Sequence, residues 1–321
     1  MELKELTIEV TQQCPNYCIY CSSLSSLSKT CKIPLCKILE SIDGACSLGC
    51  TALSISGGEP FLRSDLAKIV KHARNKNMTV SIYTSGIYHD GIKFLPLPLE
   101  ILNDLLQCDC KIIVNYEASD EETYDLIMGT HIDGFKILRQ SIKSCVKMGF
   151  KVEAHTVPMS ANWLQIKDII NQCMTLGIRK ISFLRLVNQG RAKENASLTS
   201  LSETQIELVK KQIYAEQHNH PDSIRIGIPL SNCTDCINCL AGSVKLNIRY
   251  DGKVFPCEAF KDDTSNKCFT YSPENIYGNS LIEIYNNDVY LAEVRTMLDM
   301  YHSVCRKEKC FNQYIRKNGK Y

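Results

Sequence analysis

The sequence shows no strong excess of charge of either sign. Its 321 residues carry 37 Lys and Arg against 35 Asp and Glu, a formal net charge of +2, and the basic residues are scattered. Proteins that bind nucleic acids usually concentrate Lys and Arg in a patch or a stripe. The even distribution therefore disfavours nucleic acid as a partner or substrate.

Long apolar runs are also missing. No stretch approaches the ~20 apolar residues that a membrane-spanning helix needs, so we expect no membrane segment. The first five residues form no apolar signal region and lead directly into a strand pattern. We therefore expect a cytoplasmic protein.

Cysteine, by contrast, is abundant. The chain has 18 cysteines, and in a reducing compartment disulfides explain such a number poorly. Metal ligation explains it better.

Three cysteines near the N-terminus form a compact motif. Cys14, Cys18 and Cys21 follow the alternating stretch 6–10, with three and then two residues between them. Three thiolates on one loop can hold three irons of a four-iron cluster and leave the fourth iron open to a substrate or cofactor. A structural zinc site or structural cluster would normally have four protein ligands.

The rest of the chain up to about residue 217 alternates strand and helix patterns. We predict strands at 6–10, 52–56, 79–84, 111–116, 152–157 and 180–186. Helices are predicted between most of them, one entered through the N-cap pair Ser64-Asp65. Repeated strand–helix units predict a parallel sheet that curls into a barrel or part of one, with ligands at the carboxyl ends of its strands.

The pattern changes after Pro221, and we place a domain boundary near residue 225. The predicted domains are therefore 1–225 and 226–321. The second contains a predicted β-hairpin, in which Asp251-Gly252 forms a two-residue turn between the alternating runs 245–250 and 253–255.

A glycine-rich segment ends the second predicted strand. Glycines there let a ligand approach the backbone closely, and the Glu59 carboxylate can accept hydrogen bonds from an ammonium group. An amino acid that chelates an open iron needs such an acceptor. The alternative is an ordinary strand-to-helix turn, which the nearby cysteine loop makes less attractive.

Two motifs, in this order, resemble those of the radical S-adenosylmethionine (radical SAM) superfamily: Cys14-x3-Cys18-x-Tyr20-Cys21 and Gly57-Gly58-Glu59-Pro60. The resemblance covers residues 5 to about 190. It implies a partial (β/α)6 TIM-like barrel and a [4Fe–4S] cluster on the three cysteines. It also implies that SAM binds the fourth iron, with Tyr20, Gly57, Gly58 and Glu59 among the residues that hold it.

The resemblance extends less specifically to three later positions. Ser85, after the third strand, matches a frequent ribose contact, but an ordinary turn is the alternative. Glu117, after the fourth strand, corresponds to polar groups that face the SAM ribose or carboxylate, but it could be a surface charge. Arg185, within the sixth predicted strand, could hold the SAM carboxylate or form a structural salt bridge.

Two further residues have open interpretations. Arg191 follows the sixth strand and could meet the substrate. His155, on the fifth strand, either points into the barrel or is a buried structural histidine.

The C-terminal cysteines form a second motif. Cys239, Gly252 and Cys257, spaced as Cys-x12-Gly-x4-Cys, resemble the start of the SPASM and twitch extensions of radical SAM enzymes, which bind auxiliary iron–sulfur clusters. Cys305 and Cys310 complete a set of four ligands for one auxiliary [4Fe–4S] cluster. The implied fold is a small, cysteine-rich α+β domain of the twitch or SPASM type.

Two more cysteines leave alternatives open at this second site. Cys233 and Cys236 could replace one of the four ligands or help to bind a second auxiliary cluster. Zinc is also possible, because Cys-x2-Cys is a usual spacing of zinc ligands. The reactive-cluster motif upstream favours iron–sulfur.

The other cysteines suggest no metal site. Cys268 is a possible hydrogen donor to a substrate radical, as in radical epimerases. We expect the others to be small buried residues: Cys31, Cys36, Cys46, Cys50, Cys108, Cys110, Cys145 and Cys173.

The resemblance implies an enzyme that reductively cleaves SAM and abstracts a substrate hydrogen atom. Relatives with such extensions mostly modify peptides. By this analogy we expect peptide modification in natural-product biosynthesis, by crosslinking, oxidation or epimerisation. Oxidation or epimerisation of a sugar or aminoglycoside is the alternative, and a non-enzymatic iron–sulfur or zinc module is a second. Expected partners are a reductant such as flavodoxin or ferredoxin and, for a peptide substrate, a separate recognition protein.

Overall fold

The structure is a computed structural model that describes residues 2–130, 133–227, 230, 239–261, 268–304 and 310–318. Its strands are β1 (Glu5–Thr11), β2 (Ala52–Gly57), β3 (Thr79–Thr84), β4 (Tyr88–His89), β5 (Phe94–Leu95), β6 (Lys111–Asn115), β7 (Lys151–Thr156), β8 (Lys180–Phe183), β9 (Ile224–Ile226), β10 (Lys245–Ile248) and β11 (Val254–Phe255). All the strands predicted from the sequence are present. The largest difference is in β8, which ends at Phe183 rather than at residue 186.

Helices alternate with these strands. They are α1 (Leu35–Ser47), α2 (Leu66–Asn75), α3 (Leu99–Leu106), α4 (Glu121–Met128), α5 (Gly134–Met148), α6 (Ile166–Thr175), α7 (Arg191–Glu194), α8 (Ala196–Thr199), α9 (Glu203–Asn219), α10 (Leu281–Asn287), α11 (Val289–Val304) and α12 (Phe311–Asn318). Among the described residues, no helix is both long and apolar enough to cross a bilayer.

The described strands form one large sheet of nine strands, in the order β11-β10-β1-β2-β3-β6-β7-β8-β9, and β4 and β5 pair separately. Every neighbouring pair in the large sheet is parallel except β10 with β11. The sheet ends at β11 and at β9 without closing. The fold is therefore a partial α/β barrel followed by a C-terminal region, as the sequence predicts.

The C-terminal hairpin extends the barrel sheet. Strand β10 pairs in parallel with β1, with Glu5 opposite Lys245 and Thr7 opposite Asn247. At the other edge, β9 includes residue 225, where the domain boundary is predicted. The boundary stays a prediction, but the hairpin beyond it shares a sheet with the barrel.

The hairpin turn differs from its prediction. The Arg249 amide donates to the Lys253 carbonyl oxygen, so the loop has three residues rather than two. Gly252 adopts φ +86°, the left-handed conformation that closes three-residue hairpin loops. The predicted glycine position is correct, and the predicted turn type is wrong.

The cap predicted for α2 also differs. Asp65 is the N-cap residue, but its side chain makes no capping hydrogen bond. Its carboxylate instead pairs with the buried guanidinium of Arg63 at 2.8 Å, so this ion pair replaces the cap.

The barrel strands have one apolar and one polar face. Leu6, Ile8 and Val10 of β1 are buried in the continuous hydrophobic core. The alternate residues of successive strands line an internal cavity: Thr7, Ser54, Ser56, Tyr83, Asn115 and His155. Parallel sheets covered on both faces usually have nearly continuous apolar strands. The polar inner face thus shows that the barrel interior is a site rather than a packed core.

The cysteines outside the metal motifs are not uniformly buried. Cys50, Cys110, Cys145 and Cys173 are buried as predicted, and Cys46 and Cys108 are partly buried. Cys31 and Cys36 are exposed, so burial is the wrong prediction for them. Cys31 lies in the loop before α1, where its thiol contacts the Tyr250 carbonyl oxygen at 3.4 Å.

Candidate active site

The polar faces of the strands and the loops that follow them enclose a cavity of about 400 Å³, which we call the lumen. It lies at the carboxyl ends of the first strands, where parallel α/β folds bind ligands. The predicted site residues in its lining are Cys14, Cys18, Cys21, Tyr20, Gly57, Gly58 and Ser85. The structure therefore brings together both N-terminal motifs.

The cysteine loop is held by the end of α4. The amides of Tyr17 and Ile19 donate to the carbonyl oxygens of Met128 at 3.0 Å and Ile127 at 2.9 Å. Gly129 adopts φ +62°, and a Cβ there would lie 2.5 Å from the Tyr17 carbonyl oxygen. Only glycine allows α4 to end this close to the loop.

Arg191 holds the same loop from the opposite side. Its Nε donates to the Cys18 carbonyl oxygen at 2.7 Å and its Nη2 to the Ser25 carbonyl oxygen at 2.9 Å. The Arg191 amide donates to the Cys21 carbonyl oxygen at 3.1 Å. The guanidinium also lies 3.9 Å from the centre of the Tyr17 ring. Arg191 therefore fixes the cysteine loop, a role that its sequence position did not reveal.

The three thiols fit an iron–sulfur cluster. Burial, and then the neighbouring Cys18, Glu59 and Cys21, raise the pKa of Cys14 well above its usual value. These thiols thus lie within range of one another's charge, and cationic metal would relieve the cost of ionising them together. Within the described ranges, no three Cys, His, Asp or Glu side chains converge as ligands of one metal ion.

The glycine-rich turn approaches the same loop closely. A Cβ on Gly57 would lie 2.4 Å from the Thr11 carbonyl oxygen, and one on Gly58 would lie 2.0 Å from the Gln13 carbonyl oxygen. The Gly58 amide donates to the Thr11 carbonyl oxygen at 2.6 Å. A side chain on either glycine would therefore clash with the backbone that leads into the cysteine loop. Both glycines also line the lumen.

Glu59 is fully buried behind this turn. Its carboxylate accepts hydrogen bonds from the Thr84 hydroxyl at 2.7 Å, from the Ser85 hydroxyl at 2.6 Å and from the Ser85 amide at 2.8 Å. Burial raises its pKa, although these hydrogen bonds oppose the rise. Glu59 is not among the described residues that line the lumen, whereas Thr84 and Ser85 are. Its contact with a SAM ammonium stays a prediction, and in the structure it joins the turn to the end of β3.

Tyr20 and Glu117 form a second buried pair. The Tyr20 hydroxyl donates to the Glu117 carboxylate at 2.8 Å, and the Val157 amide donates to its other oxygen at 2.8 Å. Burial raises the pKa of Glu117 to about 7. Glu117 is therefore no surface charge. It orients the Tyr20 ring, which itself lines the lumen.

Arg185 is not among the described residues that line the lumen. Because β8 ends at Phe183, Arg185 belongs to the loop that follows the strand. Its guanidinium lies 3.8 Å from the Cys310 sulfur. The structure thus places Arg185 beside the C-terminal cysteines, and its predicted contact with the SAM carboxylate stays untested.

Three of the predicted auxiliary ligands come together. Burial raises the pKa of the Cys257 thiol, and the Cys239 and Cys310 thiols raise it further. The Lys245 charge opposes this rise. Three thiols close to one another and to a lysine fit a cluster that carries net negative charge. The fourth predicted ligand, Cys305, and the alternatives Cys233 and Cys236 lie outside the described residues.

The C-terminal region also reaches the lumen. Glu258, next to Cys257, lines the lumen, and its side chain is 47% exposed there. Its carboxylate accepts a hydrogen bond from the Thr7 hydroxyl at 2.7 Å and lies 3.8 Å from the Lys245 ammonium. The surrounding protein removes part of the hydration of the Glu258 carboxyl, which favours a higher pKa, but the Lys245 charge and the Thr7 hydrogen bond outweigh this effect and lower the pKa. An anionic group thus stands between the auxiliary cysteines and the lumen.

Lys261 is a second C-terminal residue in the lumen wall. Its ammonium pairs with Glu9 of β1 and donates to the Ser23 hydroxyl at 2.9 Å. No motif pointed to Glu258 or Lys261. The polar residues on β1, including Glu9, could have been found from their alternation with apolar ones.

Asn16 is a further lumen residue that the spacing did not single out. It lies between two of the motif cysteines and is 1% exposed. Neither polar atom of its side chain has a hydrogen-bond partner in the described part of the chain. Buried amides are normally paired, so this one marks a place for a ligand.

Cys268, the predicted hydrogen donor, packs against the hydrophobic core and is only partly buried. It is not among the described residues that line the lumen. Nothing in its surroundings adds support for that role, which stays a prediction.

Known protein families match both cysteine regions. Residues 8–173 match the family model of the radical SAM superfamily, and residues 239–311 match that of the SPASM iron–sulfur cluster-binding domain. The chain belongs to the radical SAM superfamily. Family membership gives this radical SAM protein SAM and a [4Fe–4S] cluster as cofactors, and the SPASM match adds an auxiliary iron–sulfur site.

Individual relatives are more distant. A probable GTP 3′,8-cyclase from Methanococcus aeolicus is 25% identical over 281 residues, which cover 82% of this chain and 87% of the relative. SuiB from Streptococcus suis, solved with its precursor peptide SuiA, superimposes with a TM-score of 0.76 at 15% identity. That match covers 98% of this chain and 74% of SuiB. The enzyme anSMEcpe, solved with S-adenosylmethionine, has a TM-score of 0.68 at 16% identity, covering 92% and 83% of the two chains. These structural matches establish the shared fold.

Proposed function

We propose that this radical SAM protein abstracts a hydrogen atom from a side chain of a peptide, using the 5′-deoxyadenosyl radical that SAM supplies when it binds a reduced cluster. The observation that carries the proposal is the lumen. Its lining includes the three motif thiols, several hydroxyl and amide side chains, and Glu258, which is next to the predicted auxiliary ligand Cys257. A reductant such as flavodoxin or ferredoxin would deliver the first electron.

The residues of the chain divide the lumen into two parts. The cysteine loop, the Gly57-Gly58 turn and Ser85 form the part suited to SAM, because backbone groups and hydroxyls are exposed there. Tyr83, His155, Glu258 and the strand hydroxyls form the part left for a substrate. Burial, and then Arg225, lower the pKa of His155 to about 4, so its imidazole is neutral at pH 7.

The size of the lumen favours a substrate group no larger than a side chain. Small-molecule pockets range from about 300 to 1,000 Å³, and the lumen measures about 400 Å³. With SAM in place, little volume remains. SuiB was solved with a precursor peptide and anSMEcpe with the Cp18Cys peptide, which supports a peptide that inserts one side chain.

The position of the auxiliary thiols supports a net oxidation. A substrate radical beside Glu258 would lie next to the Cys257 group, which would hold the auxiliary cluster. That cluster could accept the remaining electron of the substrate radical. Cofactors perform the demanding chemistry in such enzymes, while the protein positions the reacting groups.

A nucleotide or other small molecule is the second candidate. It is favoured by the 25% identity to a probable GTP 3′,8-cyclase over most of both chains. A substrate of this kind would place only its reacting group in the lumen beside SAM. Calorimetric titration of the reconstituted protein with GTP in the presence of SAM would detect it.

The test begins with anaerobic reconstitution and iron analysis. We expect about eight irons per chain, on the arithmetic of two four-iron clusters. The Cys18→Ala variant should lose about half of that iron and form no 5′-deoxyadenosine with dithionite and SAM. Cys36→Ala, which removes an exposed thiol on α1, is the matched control and should behave as wild type.

The substrate class needs a separate measurement. The protein is coexpressed with any short peptide encoded beside its gene, and the peptide is analysed by mass spectrometry. A loss of hydrogen that depends on Cys18 would support peptide modification. An unmodified peptide together with tight GTP binding would replace the peptide by a nucleotide. Survival of 5′-deoxyadenosine formation in Cys18→Ala would overturn the whole assignment.

A further inference from the structure

Arg191 is a buried cation that has no carboxylate partner among the described residues. It is 4% exposed, and in the described part of the chain its guanidinium contacts two carbonyl oxygens and one aromatic ring. No Asp or Glu in that part lies within ion-pair distance of it. Burying an arginine in this way is costly unless another negative charge compensates it.

Two other arginines with little exposure, Arg63 and Arg249, have such compensation. Arg63, also nearly buried, donates to the carbonyl oxygens of Val10 and Ile33 but pairs with Asp65 at 2.8 Å. Arg249 pairs with Asp251 at 2.6 Å. Arg63 is thus a buried clamp on backbone carbonyls that has its own carboxylate. Arg191 is a similar clamp with no carboxylate beside it among the described residues.

The missing negative charge is supplied by the loop that Arg191 holds. The Arg191 Nε donates to the Cys18 carbonyl oxygen, so the guanidinium lies beside the backbone of one motif cysteine, and its charge reaches the Cys18 thiol. Thiolates bound to iron carry negative charge, and reduction of a cluster adds more. In a buried site, a fixed cation stabilises the more negative state.

We propose that Arg191 is a positioning residue whose charge compensates the thiolate-bound cluster and raises its reduction potential. The inference rests on the proposed function, because it requires a cluster on the three N-terminal cysteines. Arg191 does two things in this arrangement. Its hydrogen bonds hold the loop in the geometry that presents the thiols, and its charge favours the reduced cluster.

The local backbone supports a fixed position for the guanidinium. Gly190, directly before it, adopts φ +56°, and a Cβ there would lie 2.4 Å from the Cys21 carbonyl oxygen. The Asn195 amide side chain adds a neutral contact, donating to the Ile19 carbonyl oxygen at 3.3 Å. Asn195 therefore offers a matched control, because it holds the same loop without carrying charge.

The test is a potentiometric titration of the holoenzyme followed by electron paramagnetic resonance. The first cluster is identified as the signal that changes when SAM is added. In Arg191→Gln, the ratio of reduced to oxidised cluster at a fixed potential should fall about tenfold, a shift of about 59 mV to more negative potential for one electron. Arg191→Lys keeps the charge and should stay near the wild-type potential, as should Asn195→Ala.

Loss of the cluster in a variant is also informative. If Arg191→Gln takes up no iron at this site while Arg191→Lys does, the charge is needed for assembly, which supports the proposal. If both variants lose the cluster while Asn195→Ala keeps it, the geometry of the guanidinium matters and its charge does not, which overturns the proposal.

An Arg191→Gln cluster with the wild-type potential would overturn it as well. Failure of the wild-type protein to assemble the cluster would instead refute the proposed function. The two failures can therefore be told apart.

Discussion

At the scale of single residues, His155 shows how the lumen controls ionisation. It lies on the polar face of β7 and makes an edge-on contact with Tyr83, whose ring centre is 5.3 Å away. Burial, and then the nearby Arg225, lower the pKa of His155 to about 4. The imidazole is therefore a neutral hydrogen-bonding group for a substrate rather than a cation.

This lowered pKa predicts a pH dependence of stability. Between pH 6.5 and 4 the unfolded chain binds a proton at this position and the folded protein does not, so stability falls as the pH decreases through that window. At pH 5 the loss should be about 2 kcal/mol relative to pH 7.5. Urea unfolding of wild type and His155→Asn at both pH values measures it.

The variant should lose about 2 kcal/mol less than wild type on acidification. His218→Gln, which replaces an exposed histidine near the end of α9, should follow wild type. An equal pH dependence in all three proteins would mean that His155 is protonated in the folded state.

At the scale of elements, the turn after β2 is constrained by the cysteine loop. Replacing Gly58 by alanine places a Cβ 2.0 Å from the Gln13 carbonyl oxygen, a backbone atom that cannot move without displacing the cysteine loop. We expect Gly58→Ala to destabilise the protein by about 3 kcal/mol, the upper part of the range for overpacking. SAM binding should weaken at the same time.

Thermal unfolding and equilibrium dialysis with labelled SAM measure the two effects. Gly278→Ala is the control, because a Cβ there would meet only the Asn275 carbonyl oxygen at 3.8 Å. Wild-type stability and SAM affinity in Gly58→Ala would show that the turn and the loop are not in such close contact.

The elements also show what the sequence can predict. Residue patterns predicted the strands and the helices between most of them, because these signals are local. The pairing of β10 with β1 was not predicted, since strands whose paired residues are 240 positions apart carry no local sign of their partner. Because this pairing could not be predicted, the hairpin was assigned to the separate domain 226–321.

The site shows the same division. Residue type and spacing identified the thiols and the Gly57-Gly58 turn, because these residues lie in short motifs that can be recognised in the sequence. Spacing could not show that Glu59 binds Thr84 and Ser85 or that Arg191 clamps the cysteine loop, because these contacts join separate loops. The alternation of polar and apolar residues along β1 was visible in the sequence. Only the structure shows that the polar face lines the lumen.

At the scale of the whole molecule, C-terminal residues are attached directly to the barrel interior. Glu258 accepts from Thr7 of β1, and the Gln189 side chain donates to the Glu258 carbonyl oxygen at 2.9 Å. Arg316 of α12 contacts the Ala259 carbonyl oxygen at 3.2 Å. The auxiliary cysteines are thereby coupled to the first strand and to the lumen rather than tethered by a linker.

The ion pair of Glu9 and Lys261 is the most deeply buried of these connections. The side chains are 1% and 8% exposed, and one Glu9 oxygen has no partner in the described part of the chain. Removing one member of a buried pair leaves an uncompensated charge, at a cost of about 3–5 kcal/mol. Apolar side chains in place of both members can restore much of that loss.

A double-mutant cycle on this pair tests whether it fastens the C-terminal region to the barrel. Lys261→Met and Glu9→Leu should each destabilise the protein by about 3 kcal/mol or more, whereas the double variant should lose far less than their sum. Urea unfolding of the iron-loaded proteins gives the free energies.

Hydrogen exchange should show that Lys261→Met increases exchange in β10 and β11, because strain at the pair reaches the hairpin beside β1. Additive losses, or exchange unchanged in the hairpin, would mean that the two regions are held together without the pair.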